Sequence, residues 1–113
     1  MEPVYSLPEV EALIREEKAL LMYFSAESCS VCKTLRPKVW EMITGTFPKM
    51  RSIYVDTERS PLIAGQHRVF SIPTILLFFE GKEHMRLSRN IALYQLEDVI
   101  SRPYHMLFPE PAD

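Results

Sequence analysis

Hydrophobic and polar positions fall into blocks whose period switches between helix and strand along the chain. Ser6 opens S-L-P-E, a capping-box pattern with Glu9 in the third place, and Val10, Leu13 and Ile14 then form one apolar helical face that ends in a charged run, Arg15 to Lys18. A-L-L-M-Y-F-S-A, Ala19 to Ala26, is one apolar run and predicts a strand buried on both faces. Leu35, Val39, Met42 and Ile43 recur at helical spacing, with Gly45 and Pro48 marking the end of that helix. R-S-I-Y-V-D-T, Arg51 to Thr57, alternates like a strand. Ser60-Pro61 predicts the start of a short helix that ends near His67. P-T-I-L-L-F-F-E-G-K-E-H-M-R-L-S predicts two strands joined by a tight turn at Glu80-Gly81-Lys82. Leu93, Leu96, Val99 and Ile100 form a last amphipathic helix, which Arg102-Pro103 is expected to stop because the residue before proline avoids helical angles. Val4 to Ser6 is a candidate edge strand.

The order helix, strand, helix, strand, helix, strand, strand, helix sets the fold class. Strand–helix–strand crossings at the front imply parallel pairing, and the late hairpin implies antiparallel pairing. The expectation is an α/β fold with a central mixed sheet flanked by helices on both faces.

Size and charge narrow the picture. The 113 residues suit one domain, 1–113, without internal repeats or linkers. Apolar residues are 47% and net charge is −2, so nothing points to nucleic acid or to an anionic membrane as a partner. The apolar runs are too short to span a bilayer, and M-E-P-V-Y-S-L-P lacks the cationic start and apolar core of a secretory signal. A cytoplasmic location is the expectation. From about residue 101 the chain continues as S-R-P-Y-H-M-L-F-P-E-P-A-D, where Tyr104, Met106, Leu107 and Phe108 are too apolar for a purely solvated tail. They are expected to dock on the domain or on a partner. The six methionines read as core fillers, and His67, His84 and His105 as surface or half-buried side chains rather than ligands.

The candidate chemistry lies in S-A-E-S-C-S-V-C-K-T-L-R-P, which holds both cysteines, Cys29 and Cys32. A redox dithiol, half of a zinc site and a pair of inert thiols are the three readings. Structural zinc sites take four ligands, and here there is no second C-x-x-C and no H-x-x-x-H pair. Position favours redox: C-x-x-C beside a strand–helix–strand pattern is a redox signature. Cys29 falls where a buried strand meets a long helix, where free N–H groups and a partial positive charge stabilise a thiolate. A thiol so placed can fall from about 8.5 into the range of roughly 3.5 to 7.5, and the thiolate is the species that attacks disulfides. Cys32, one turn inside the helix, is near enough to close a disulfide. Cys29 is therefore the expected nucleophile and Cys32 the resolving thiol.

Several motifs in register resemble the thioredoxin family: Phe24-Ser25-Ala26-Glu27-Ser28-Cys29-Ser30-Val31-Cys32-Lys33, Pro37 five residues past the second cysteine, Val55-Asp56, and Ser71-Ile72-Pro73-Thr74 followed by the hairpin to Lys82. The resemblance runs from about Ser6 to Ile100. It implies a thioredoxin-like fold and a cis Ile72–Pro73 bond, with the backbone of Ile72 pairing a substrate segment across Cys29. It further implies a thiol–disulfide oxidoreductase acting on protein disulfides, with no bound cofactor and with a reductase or low-molecular-weight thiol as electron donor. The other reading is a redox-sensing adaptor on the same fold, since fold does not settle function.

Four positions depart from the family pattern. Ser28 stands where a Trp is usual, and Ser30-Val31 where Gly-Pro is usual. Tyr23 replaces the buried acid six residues before the first cysteine, and Ser52 replaces the lysine that partners it. A tyrosine is a poor base near neutral pH, because its ordinary pKa is about 10. The resolving step is therefore expected to be slow, and the client range to differ from that of a general thioredoxin.

Overall fold

The computed structural model describes residues 1–110. The elements are β1 (Glu2–Pro3), α1 (Leu7–Glu16), β2 (Ala19–Ser25), α2 (Ser30–Thr46), β3 (Arg51–Asp56), α3 (Pro61–Gln66), β4 (Thr74–Phe79), β5 (Lys82–Ser88) and α4 (Leu93–Leu107). They build one five-stranded mixed sheet in the order β1-β3-β2-β4-β5. β1, β3 and β2 run parallel, and β4 and β5 antiparallel.

β2 is central and buried along its whole length. Its alternation divides the core in two. Leu20, Met22 and Phe24 meet Val10 of α1 and Ile63 of α3 on one face. Ala19, Leu21 and Tyr23 meet Val39 and Ile43 of α2 and Leu96 and Ile100 of α4 on the other. A two-faced apolar strand and four amphipathic helices thus close into a three-layer α/β fold of the predicted class.

Local signals act as read, with two corrections. Ser6 caps α1 by accepting from the Glu9 N–H at 3.3 Å, while Glu9 Oε1 accepts from the Tyr5 N–H at 3.1 Å. That second bond takes Tyr5 out of the sheet. The edge strand is therefore Glu2–Pro3 and not Val4–Ser6, and pairing with β3 ends where Val4 donates to the Tyr54 carbonyl at 3.1 Å. The β4–β5 turn has Glu80 at φ 54° and Gly81 at φ 79°, the two positive angles that a two-residue hairpin of matching twist requires.

The second correction is the end of the last helix. Arg102-Pro103 does not stop α4, which runs through Pro103 to Leu107. An internal proline costs about 3 kcal/mol. The following turn offsets this by burying Tyr104, whose ring is 4.9 Å from Phe47 and 4.9 Å from Phe108 and whose hydroxyl accepts from the Lys49 N–H at 3.0 Å. A buried aromatic contributes about 1.5–3 kcal/mol and each aromatic pair about 0.5–1.5 more. The segment from 101 is thus largely helix docked on the domain; its last residues, 111–113, lie outside the described residues. Met106 stays exposed, as does Met85, so the methionines are only partly core fillers, with Met22 and Met50 buried.

Candidate active site

The site grows out of the end of β2. Cys29 is the N-cap of α2, and its Sγ accepts from the Cys32 N–H at 3.2 Å. The sulfur therefore takes one of the donors that the first turn leaves free, at the positive end of a 17-residue helix. Cys29 and Cys32 are joined as a disulfide, their Cα atoms 5.3 Å apart. The two sulfurs differ in access: Cys29 is half-buried, whereas Cys32 is fully buried against the α2–α4 core. Among the described residues, no group of three or more His, Cys, Asp or Glu is placed to hold a metal ion.

Topology brings the second motif beside the first. Phe24 of β2 pairs with Thr74 of β4 in antiparallel register, so the chain leaves β2 toward Cys29 at the sheet end where Ile72–Pro73 enters β4. The Ile72–Pro73 peptide bond is cis. Pro73 is buried, and Ile72 is half-buried against both halves of the core. The loop is held from both sides. Thr74 Oγ1 donates to the Ser71 carbonyl at 2.6 Å, and the Arg89 N–H donates to the Pro73 carbonyl at 2.8 Å.

The four departures have structural consequences. Tyr23 is fully buried, and its hydroxyl donates to the Cys32 carbonyl at 2.7 Å. Burial pushes its pKa up to about 12, against a smaller lowering by Arg36, so at neutral pH the group is a donor and not a base. Ser52 is buried with no partner for its Oγ among the described residues. Ser28 is exposed, and its hydroxyl donates to Glu58 Oε1 at 2.7 Å, which ties the cysteine loop to the loop after β3. Val31, between the cysteines, is 61% exposed and borders an open groove of about 340 Å3 along the first turns of α2. Phe70, two residues before Ile72, is 88% exposed. Sequence reasoning missed Glu58 and Phe70. Glu58 has no motif, and Phe70 looks like one more core aromatic until the fold turns it outward.

Comparison with known proteins agrees with this geometry. The thioredoxin family model matches residues 7–102. The thioredoxin-like protein YdfQ of Bacillus subtilis is 29% identical over 106 residues, spanning 94% of each chain. The thioredoxin of Chlamydia trachomatis is 38% identical over 81 residues, 72% of this chain and 76% of its own. Mitochondrial thioredoxin 3 of Saccharomyces cerevisiae, solved in its oxidised form, superposes with a TM-score of 0.80 at 27% identity, covering 89% of this chain and 93% of its own.

Proposed function

The chain belongs to the thioredoxin family and is a thiol–disulfide oxidoreductase; from that premise we propose that it reduces protein disulfides, with Cys29 attacking, Cys32 resolving and the Ile72 backbone holding the client. The observation that carries this assignment is the unequal access of two bonded sulfurs, Cys29 half-exposed at a helix N-terminus and Cys32 sealed in the core.

In the reduced protein the Cys29 thiolate attacks one sulfur of a client disulfide, and the other client sulfur leaves as a thiolate. Cys32 then loses its proton and attacks Cys29 Sγ. The bond between Cys29 and the client sulfur it attacked breaks, and that sulfur departs, two electrons having passed from the dithiol to the client. With Tyr23 protonated and already bonded to the Cys32 carbonyl, the Cys32 proton goes to the departing thiolate or to water. Neither the N–H nor the carbonyl of Ile72 has a backbone partner among the described residues, which leaves both free for an extended client strand. Val31 and Phe70 supply apolar surface for side chains of that client. The working compartment in this reading is the cytoplasm, where a reductase or a low-molecular-weight thiol returns the disulfide to the dithiol.

The test is turnover of a protein disulfide such as that of insulin. Activity should vanish in Cys29→Ser, and Cys32→Ser should accumulate mixed disulfides through Cys29. A wild-type protein that reduces no disulfide at neutral pH would favour the redox-sensing adaptor instead.

A further inference from the structure

In an open α/β sheet, ligands bind in the crevice outside the carboxyl ends of neighbouring strands whose following segments leave toward opposite faces. β3 and β2 are such a pair. β3 runs on to α3, on the α1 side of the sheet, and β2 to α2, on the other side. A cavity of about 90 Å3 lies there, lined at the strand ends by Ser25, Ala26 and Asp56. That is room for several waters or one small ion.

The charged side chains around it are three cations, Lys33 and Arg36 from α2 and Arg59 from the loop before α3, and two carboxylates, Glu27 and Asp56. Lys33 is committed to Glu27 at 2.9 Å, a bond that holds the Glu27 carboxyl below its usual range and cancels both charges. Asp56 turns Oδ1 to the N–H groups of Glu58 and Arg59, at 2.9 and 3.1 Å. Arg36 is half-buried, with Cζ 4.3 Å from the Tyr54 ring centroid. Such stacking fixes a guanidinium and leaves its donors in the ring plane unused. Among the described residues, arginine ion pairs and side-chain hydrogen bonds come from Arg51 and Arg86; Arg36 and Arg59 make none. Asp56 offsets one of the two guanidiniums, and the other is unbalanced.

We propose that this crevice is an oxyanion site, in which Arg36 and Arg59 hold a carboxylate or phosphate group of a small ligand. Guanidinium forks match both groups bidentately. The site stands apart from the redox reading, because binding there requires no thiol. Its place is nonetheless telling: Glu27 and Lys33 flank the cysteine pair in sequence, so the bound group lies alongside the turn that carries the disulfide.

Titration of the oxidised, isotope-labelled protein by NMR tests this, with sodium phosphate, sodium acetate and sodium chloride compared at equal ionic strength. Phosphate or acetate should shift the amides of Ala26 and Asp56 and the Arg36 side-chain N–H saturably, at least about tenfold more tightly than chloride, as two charge-assisted bonds require. Tighter phosphate assigns a phosphorylated ligand, and tighter acetate a carboxylate. Arg59→Gln and Arg36→Gln should each weaken binding, and Arg102→Gln on the exposed face of α4 should not. Equal response to chloride, or binding unchanged in both crevice variants, overturns the proposal.

Discussion

The Tyr23 hydroxyl donates to the Cys32 carbonyl oxygen at 2.7 Å, joining the centre of the sheet to the first turn of the redox helix. Where the thioredoxin pattern has a buried acid, this chain carries a donor whose hydrogen bond positions the backbone of Cys32. A positioning role and a base role predict different losses. Tyr23→Phe removes one buried hydrogen bond, worth about 1 kcal/mol, so the melting temperature should fall by roughly 3–6 °C. The rate of disulfide reduction at neutral pH should stay within about twofold, because a group protonated up to about pH 12 takes no proton there. Calorimetry and stopped-flow reduction measure both; a rate loss of tenfold or more would mean that the hydroxyl acts in the chemistry.

Introducing an acid at this position should speed the chemistry at a cost in stability. Tyr23→Asp buries a carboxylate that the charge of Arg36 offsets only in part, and should destabilise by about 3 kcal/mol, while speeding resolution by roughly tenfold or more, as a general base does. Leu21 pairs with Ser52 and Tyr23 with Tyr54, which makes positions 23 and 52 diagonal neighbours on one face of the sheet, roughly 7–8 Å apart. Adding Ser52→Lys should therefore recover part of the stability, with a coupling of about 0.5–3 kcal/mol in a double-mutant cycle. An Asp variant no faster than the parent would refute the account of a slow resolving step.

Period and punctuation made most of the architecture legible. A short continuous apolar run suits a strand covered on both faces, and β2 is one. Ser6 and Glu80-Gly81 act through neighbours a few residues away, so sequence reports them directly; Pro61 opens α3 as read, but the Ser60 hydroxyl makes no cap bond and donates to the Tyr5 carbonyl at 3.5 Å. The dithiol was legible because its place between a buried strand and a helix defines its environment. What was hidden depends on distant partners. Pro103 looks like a stop until Phe47 and Lys49, more than 50 residues earlier, are seen to hold Tyr104. Ser28 looks like a plain loss of Trp until Glu58 accepts from it. The Arg36–Tyr54 stack joins a helix to a strand with no periodic trace in either.

The last turn of α4 is thus a structural element rather than an appendage. Tyr104→Ala should destabilise by about 3–5 kcal/mol, the range for truncating a buried aromatic. Tyr104→Phe keeps the stack on Phe47 and loses only the bond from the Lys49 N–H, about 1 kcal/mol. Urea denaturation separates the two. Trimming by limited proteolysis within 104–110 should likewise lower the melting temperature, and an unchanged value would mean that this segment does not contribute to the domain.

His67 supplies the pH dependence. It caps the end of α3 with its ring edge-on to Phe78 at 6.0 Å, and its Nε2 is buried without a partner among the described residues. Burial holds its pKa below the ordinary 6.5; Glu83 and Glu11 oppose that shift and Arg86 reinforces it. The unfolded chain therefore takes up the proton first. The stability this group contributes is complete above pH 6.5 and is lost as pH falls through the folded-state pKa. Glu83 is also depressed, chiefly by its hydrogen bond to Arg86, but its contribution fades only below its ordinary 4.5. Between about pH 7.5 and 5.5 the melting temperature of the wild type should fall more steeply than that of His67→Gln, which has no imidazole to charge. Parallel curves over that interval would show that His67 titrates alike in the folded and unfolded chains, and the buried neutral imidazole would then be the wrong description.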